Sequence, residues 1–173
     1  MTTTLSRLQE AGRHQHLAYS GKAERPLGGY LMTMGTYAAA VATIATTVRR
    51  TGRRLPEQIS PWDVGLIAGA TYKLSRLVAK APVTSPLRAP FTEFQGPSGP
   101  AELEETPRGN GPRHAIGELL TCPFCISQWI ATGFATGLIF TPRAARLVAG
   151  MFTALAGADM LQFVRARAEQ ATG

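Results

Sequence analysis

Residues 116–164 read IGELLTCPFCISQWIATGFATGLIFTPRAARLVAGMFTALAGADMLQFV, and the reading of this stretch decides the fold. Two apolar runs, 116–140 and 144–164, flank the short polar turn TPRAAR. A bilayer core needs about 20 largely uncharged residues per helix, so each run is long enough for one span. A connection this short makes the two spans antiparallel neighbours, a C-terminal helical hairpin. Gly133 and Gly137 form a GxxxG pair in the first helix, which reads as close helix packing within the hairpin.

Upstream, residues 27–48 (LGGYLMTMGTYAAAVATIATTV) carry no charge and make a first membrane helix. The run is rich in Ala, Thr and Gly, so it is expected to pack on protein rather than stand alone in lipid. Mean hydropathy is −0.01, a value that hides the bunching of apolar residues into runs with polar stretches between them. Residues 61–80 form a further helix: Ser60 serves as N-cap, Pro61 takes the first position, and Asp63 meets the positive helix end. Lys73, Arg76 and Lys80 share one face of it. This helix either spans with its basic end at the interface or lies on the membrane surface.

The segment 81–115 holds seven of the twelve prolines and reads as a loop without regular structure, solvated over GPSGPAELEETPRGNG. The first 26 residues are polar and lack the apolar core of a cleavable signal peptide, so the run 27–48 is expected to act as an uncleaved anchor. The expected architecture is therefore all-α: a small multi-pass membrane protein with three or four helices. A polar segment 1–26 precedes helix 27–48; a membrane domain 60–164 follows, with its Pro/Gly-rich loop ahead of the helix bearing the cysteines; and 165–173 is a basic tail.

The net charge of +7 comes mostly from arginines that flank the apolar runs. Flanking positions mark topology determinants and anionic-lipid contacts rather than a nucleic-acid groove, and no nucleic-acid-binding motif is present. If 61–80 spans, the two termini and the loop share one side with ten Lys/Arg against six; if it lies flat, the loop side has twelve against six. Either count puts Cys122 and Cys125 on the cytoplasmic side of the cell membrane. There thiols are normally reduced, so a standing disulfide is not expected.

Pro123 suits the first turn of a helix, which places the CPFC box at a helix N-terminus where the dipole favours a thiolate. Three uses of the pair stay open. A redox dithiol lacks the surrounding strand pattern of thioredoxin-like proteins. A zinc site needs two more ligands, from His114, His14, His16 or a second subunit. Simple packing of two small residues needs nothing more. Glu118, one turn before Cys122, is placed to support the thiol or bind a cation, or it is ordinary capping electrostatics. Asp159 is a carboxylate within the last apolar run, either intramembrane or interfacial. Trp62 and Trp129 read as interface anchors.

The ordered set of Arg76, Pro86-Leu87-Arg88, Cys122, Cys125 and Trp129 within KLSRL, VTSPLRAPF and GELLTCPFCISQW resembles the bacterial membrane-protein family catalogued as domain of unknown function 1360. The resemblance covers about residues 60–160 and implies an integral membrane protein with the Cys box as hallmark. It also implies an Asp shortly before VTSPLR, where this chain has Ala81, which leaves Arg76 and Arg88 without an evident carboxylate. The leading functional expectation is a non-enzymatic membrane protein whose loop 81–115 and Cys box form a cytoplasmic surface for a protein partner or for self-association. The alternative is a membrane-bound thiol redox or metal-binding protein, zinc being the metal. No nucleophile–base pair or phosphate loop supports a hydrolase or transferase.

Overall fold

The computed structural model describes residues 25–172 without a break and, before them, residues 6–7, 10–12, 14–15 and 18–19. Most of the polar segment 1–26, His16 included, lies outside the described residues. In chain order the rest forms α1 (Leu27–Arg50), α2 (Pro61–Lys80), a 3-10 turn (Pro82–Thr84), the one-turn helix α3 (Ser85–Arg88), strands β1 (Thr92–Gly99) and β2 (Glu102–Pro107), α4 (Gly111–Thr121), α5 (Pro123–Phe140) and α6 (Pro142–Thr172).

Helix α2 begins as its sequence dictates, with the Ser60 hydroxyl accepting the Trp62 N–H at 3.3 Å and Pro61 at the first position. It packs mainly against α6 and α5. Asp63 meets Arg146 (2.8 and 2.9 Å) and Lys73 meets Asp159 (2.5 Å), so α2 and α6 run parallel. Between these pairs Gly69 lets the helices approach, since a Cβ there would sit 2.6 Å from Thr153, whose hydroxyl donates to the Leu66 carbonyl at 2.7 Å. Helix α5 is antiparallel to both, and Ala70, Phe134 and Ala149 form the buried centre among the three helices. Gly137 packs against Ala145 across the α5–α6 turn, while Gly133 faces open space, so half of the GxxxG pair serves the hairpin.

Helix α1 runs beside α5 from the same end. Gly29 sits against Ala115 and Gly111 of α4, the Tyr37 ring meets Trp129 edge-on at 5.1 Å, and Arg53 lies over the Phe140 ring. Three helices, α1, α5 and α6, are long and apolar enough to cross a membrane. Their outer faces expose large apolar side chains, among them Leu31, Met34, Leu147, Leu155 and Leu161.

Two expectations are corrected. The segment 81–115 is not an irregular loop, and the mostly helical fold therefore also contains a small two-stranded sheet. After the 3-10 turn and α3, β1 and β2 pair antiparallel with Phe94 opposite Glu105 and Gly96 opposite Glu104, through two bulges at the Gly/Pro-rich positions. The prolines and glycines sit at the bulges, the tip, the helix starts and the turns between elements, and thus tolerate the ordered structure that their number argued against. The second correction concerns the expected helix 116–140, which breaks at Cys122 (φ −100°, ψ 106°). Pro123 disfavours helical backbone in the residue before it, so α4 ends at Thr121 and α5 starts afresh.

Candidate functional site

Arg88 is the centre of the cap formed by residues 81–121. It has no exposed surface. Its guanidinium donates to both Glu105 oxygens (2.9 and 2.7 Å), to the Val78 and Ala81 carbonyls (2.7 and 3.1 Å), and to the Thr84 and Ser85 hydroxyls (2.6 and 3.2 Å). Thr92 donates to Glu105 as well, at 2.8 Å. A buried bidentate ion pair with its remaining groups hydrogen-bonded is the arrangement that offsets the cost of burying charge. The Arg88 guanidinium, chiefly, holds the Glu105 carboxyl below the usual carboxylate range, with Thr92 and Ser85 adding to the effect.

The same strand supplies two more carboxylates. Glu102 takes Arg76 through two bonds (2.9 and 2.6 Å) and Glu104 takes Lys80 at 3.0 Å. Four residues along a helix rise about 6 Å and two along a strand about 6.7 Å, so an i,i+4 basic pair on α2 matches an i,i+2 acidic pair on β2. The spacing of Arg76 and Lys80 against Glu102 and Glu104 was the available signal; reading the segment as a loop hid it. Ala81 is thus no gap in the pattern, because both arginines have carboxylates from β2.

Within Pro86-Leu87-Arg88 the burial is split: Arg88 points in, while Leu87 is 66% exposed. Val83 and Phe94 are also exposed on the cap.

Glu118 does not serve the cysteines. Its carboxylate accepts from Arg25 (3.1 Å) and Tyr30 (2.5 Å), with the His114 Nε2 at 3.6 Å, and so ties α4 to the start of α1. Only its backbone carbonyl reaches the box, accepting the Cys122 N–H at 3.2 Å. His114 turns its Nδ1 to the Gly109 carbonyl. Cys122 caps α5, its sulfur accepting the Cys125 N–H at 3.2 Å, and the two sulfurs are joined as a disulfide with Cα atoms 5.2 Å apart. The expectation of reduced thiols is corrected to that extent: three residues apart across a helix start, the two cysteines are within bonding reach. Phe124 between them is 89% exposed. Among the described residues no three His, Cys, Asp or Glu side chains come together to hold a metal.

Asp159 is paired with Lys73, and Trp129 lies against Tyr37 rather than at the end of its helix. Trp62 is 72% exposed in the first turn of α2.

The Arg88-centred cap, the cysteine box and most of the three helices beneath them fall within one matching region, because a family described as protein of unknown function (DUF1360) matches residues 66–165. The chain belongs to this family. It is also similar to the sporulation protein YjcA of Bacillus subtilis (strain 168), 32% identical over 91 residues, which cover 51% of this chain and 77% of that protein. No solved structure matches. The family region runs from Leu66 in α2 to Arg165 in α6 and includes the whole cap, whereas α1 stands before it.

Proposed function

We propose that the protein is a four-span protein of the cytoplasmic membrane, without enzymatic activity, whose cap is a cytoplasmic surface for a protein partner. The observation that carries this reading is the set of exposed apolar side chains Leu87 and Phe94, on a cap that the buried Arg88–Glu105 pair holds rigid, and Phe124 of the Cys box beside it. Exposed aromatics on a preorganised support are the groups that contribute most to protein interfaces. The bilayer reading rests on the outward apolar faces of α1 and α6 and on α2, whose Asp63 and Lys73 both find partners on α6. Charges inside a membrane are tolerated when paired against the bundle interior.

The test is co-purification from membranes with the wild type and with Leu87→Ser, Phe94→Ser and Phe124→Ser. These changes leave the Arg88 network intact, and each is expected to lose the same partner while the protein stays in the membrane. If all three variants keep every partner of the wild type, the reading is wrong.

One observation favours a second reading, thiol redox at the box. Cys122 and Cys125 are paired at an exposed helix start, and cytoplasmic disulfides are mostly transient or catalytic. Titration with redox buffers, read by alkylation gel shift, is expected to give one two-electron transition. Zinc would require further ligands from another chain.

A further inference from the structure

A cleft of about 660 Å³ opens between the C-terminal half of α2, the hairpin tip of the cap and α6; Leu87 and Phe94 do not line it. Its charged walls are Lys73, Arg76, Glu102 and Asp159, Tyr72 and Gln162 also line it, and Phe163 and Val83 close its apolar side.

The depth of this cleft follows from the helices. Arg146 opposes Asp63 near the α5–α6 turn, and Asp159 lies thirteen residues further along α6, a rise of about 20 Å. With a hydrocarbon core of about 30 Å, the cleft falls in the cap-side leaflet and reaches its headgroups.

The hydrogen-bond inventory of its walls is unbalanced in one particular way. An ammonium has three donors and a guanidinium five. Lys73 gives one N–H to Asp159 Oδ2, and Arg76 gives Nε and Nη2 to Glu102, whose two oxygens are both used. Donors remain on Lys73 and on Arg76 Nη1, and one acceptor remains on Asp159 Oδ1. All four side chains are 21–41% exposed, so these atoms are reachable from the cleft. Lys73 and Arg76 are three apart on α2 and share a face, a pair of donors suited to one phosphate. The free carboxylate oxygen suits a group that is cationic and carries N–H.

From this we infer that the cleft binds a phospholipid whose headgroup joins a phosphate to a primary ammonium, of the phosphatidylethanolamine type. The phosphate takes the remaining donors of Lys73 and Arg76, and the ammonium donates to Asp159. A choline headgroup has no N–H to give, and a glycerol headgroup brings no cation to the remaining Asp159 oxygen. Phe163 and Val83 flank the apolar part of the lipid.

The inference rests on the membrane reading. The experiment therefore first washes membranes with alkaline carbonate: release of the protein would overturn both, retention supports the membrane reading alone. The retained protein is then placed in nanodiscs of equal phosphatidylethanolamine, phosphatidylcholine and phosphatidylglycerol with matched acyl chains, and co-released lipid is counted by native mass spectrometry. The wild type is expected to keep one ethanolamine lipid about tenfold over either other lipid, the preference of one charge-assisted hydrogen bond. Asp159→Asn is expected to shift the preference to the glycerol lipid, and Lys73→Gln with Asp159→Asn, which leaves no unpaired charge between α2 and α6, to remove it. Equal retention of the three lipids by the wild type, or an unchanged ethanolamine preference in Asp159→Asn, would overturn the inference.

Discussion

Arg88 and Glu105 show what a single residue pair does here. Both are buried and each is the other's counter-charge, so replacing one leaves an uncompensated charge inside the cap. Loss of one partner of such a pair costs about 3–5 kcal/mol. Arg88→Met and Glu105→Leu are each expected to open the hairpin to protease at 92–107 while α5 and α6 stay in the membrane, and the double variant to recover much of that loss. Arg88→Lys is not expected to rescue, because an ammonium cannot make the two parallel bonds to Glu105. The pair also sets an acid limit. The folded pKa of Glu105 lies below its unfolded value of about 4.3, so its contribution is complete above that value and is lost as pH falls through the lower, folded one. Protection against hydrogen exchange at 92–107, taken relative to the intrinsic rate at each pH, is expected to hold from neutral pH down to the ordinary carboxylate value of about 4.3 and to fall as pH drops below it. Arg88 stood out in the sequence from its family setting; Glu105 did not, since a carboxylate in a Gly/Pro-rich stretch looks solvated until the chain is folded back.

Helix α2 was read from its cap and first turn with the bounds it has; what the amino-acid pattern left open was whether it spans, and the same pattern hid the β-hairpin, for related reasons. Hydropathy weighs Asp63, Lys73 and Arg76 as free charges, and each is paired, with Arg146, Asp159 and Glu102. The hairpin in turn carries bulges that erase the alternation by which a strand is recognised. The hairpin of α5 and α6, by contrast, was readable because its apolar runs are continuous and its turn is short. If α2 crosses the bilayer, single cysteines at Glu57 and Val83 in a cysteine-free background lie on opposite sides. A membrane-impermeant maleimide is expected to label Glu57→Cys in cells whose outer layers are opened and Val83→Cys only after full permeabilisation. Labelling of both under one condition would place α2 on the surface. Its packing can be probed separately at Gly69, where a Cβ would meet Thr153 at 2.6 Å. Gly69→Leu is expected to cost about 1–3 kcal/mol by overpacking, seen as a lower melting temperature in detergent, and Gly65→Leu, which faces open space, to cost far less.

Over the molecule, the parallel run of α2 with α6 and of α1 with α5 puts the start of α1, the cap, the Cys box and the end of α6 at one end, and the α1–α2 connection and α5–α6 turn at the other. On the proposed four-span reading the charge count is ten Lys/Arg at the cap end against six. On that reading the positive-inside bias puts the cap on the cytoplasmic side, as proposed, and it is sidedness that decides what the Cys122–Cys125 pair does. In the cytoplasm a disulfide between them is reduced by the thiol pool unless a partner renews it; on the outer side it persists. Impermeant maleimide applied to cells bearing the native cysteines is therefore expected to label neither until the membrane is permeabilised, and the labelled fraction then to rise when an oxidised box is treated with reductant. Labelling in intact cells only after reductant would mean that the cap faces outward, with the disulfide as a permanent clasp between α4 and α5; the cytoplasmic interaction surface would then be lost along with the redox reading, since both depend on the same sidedness.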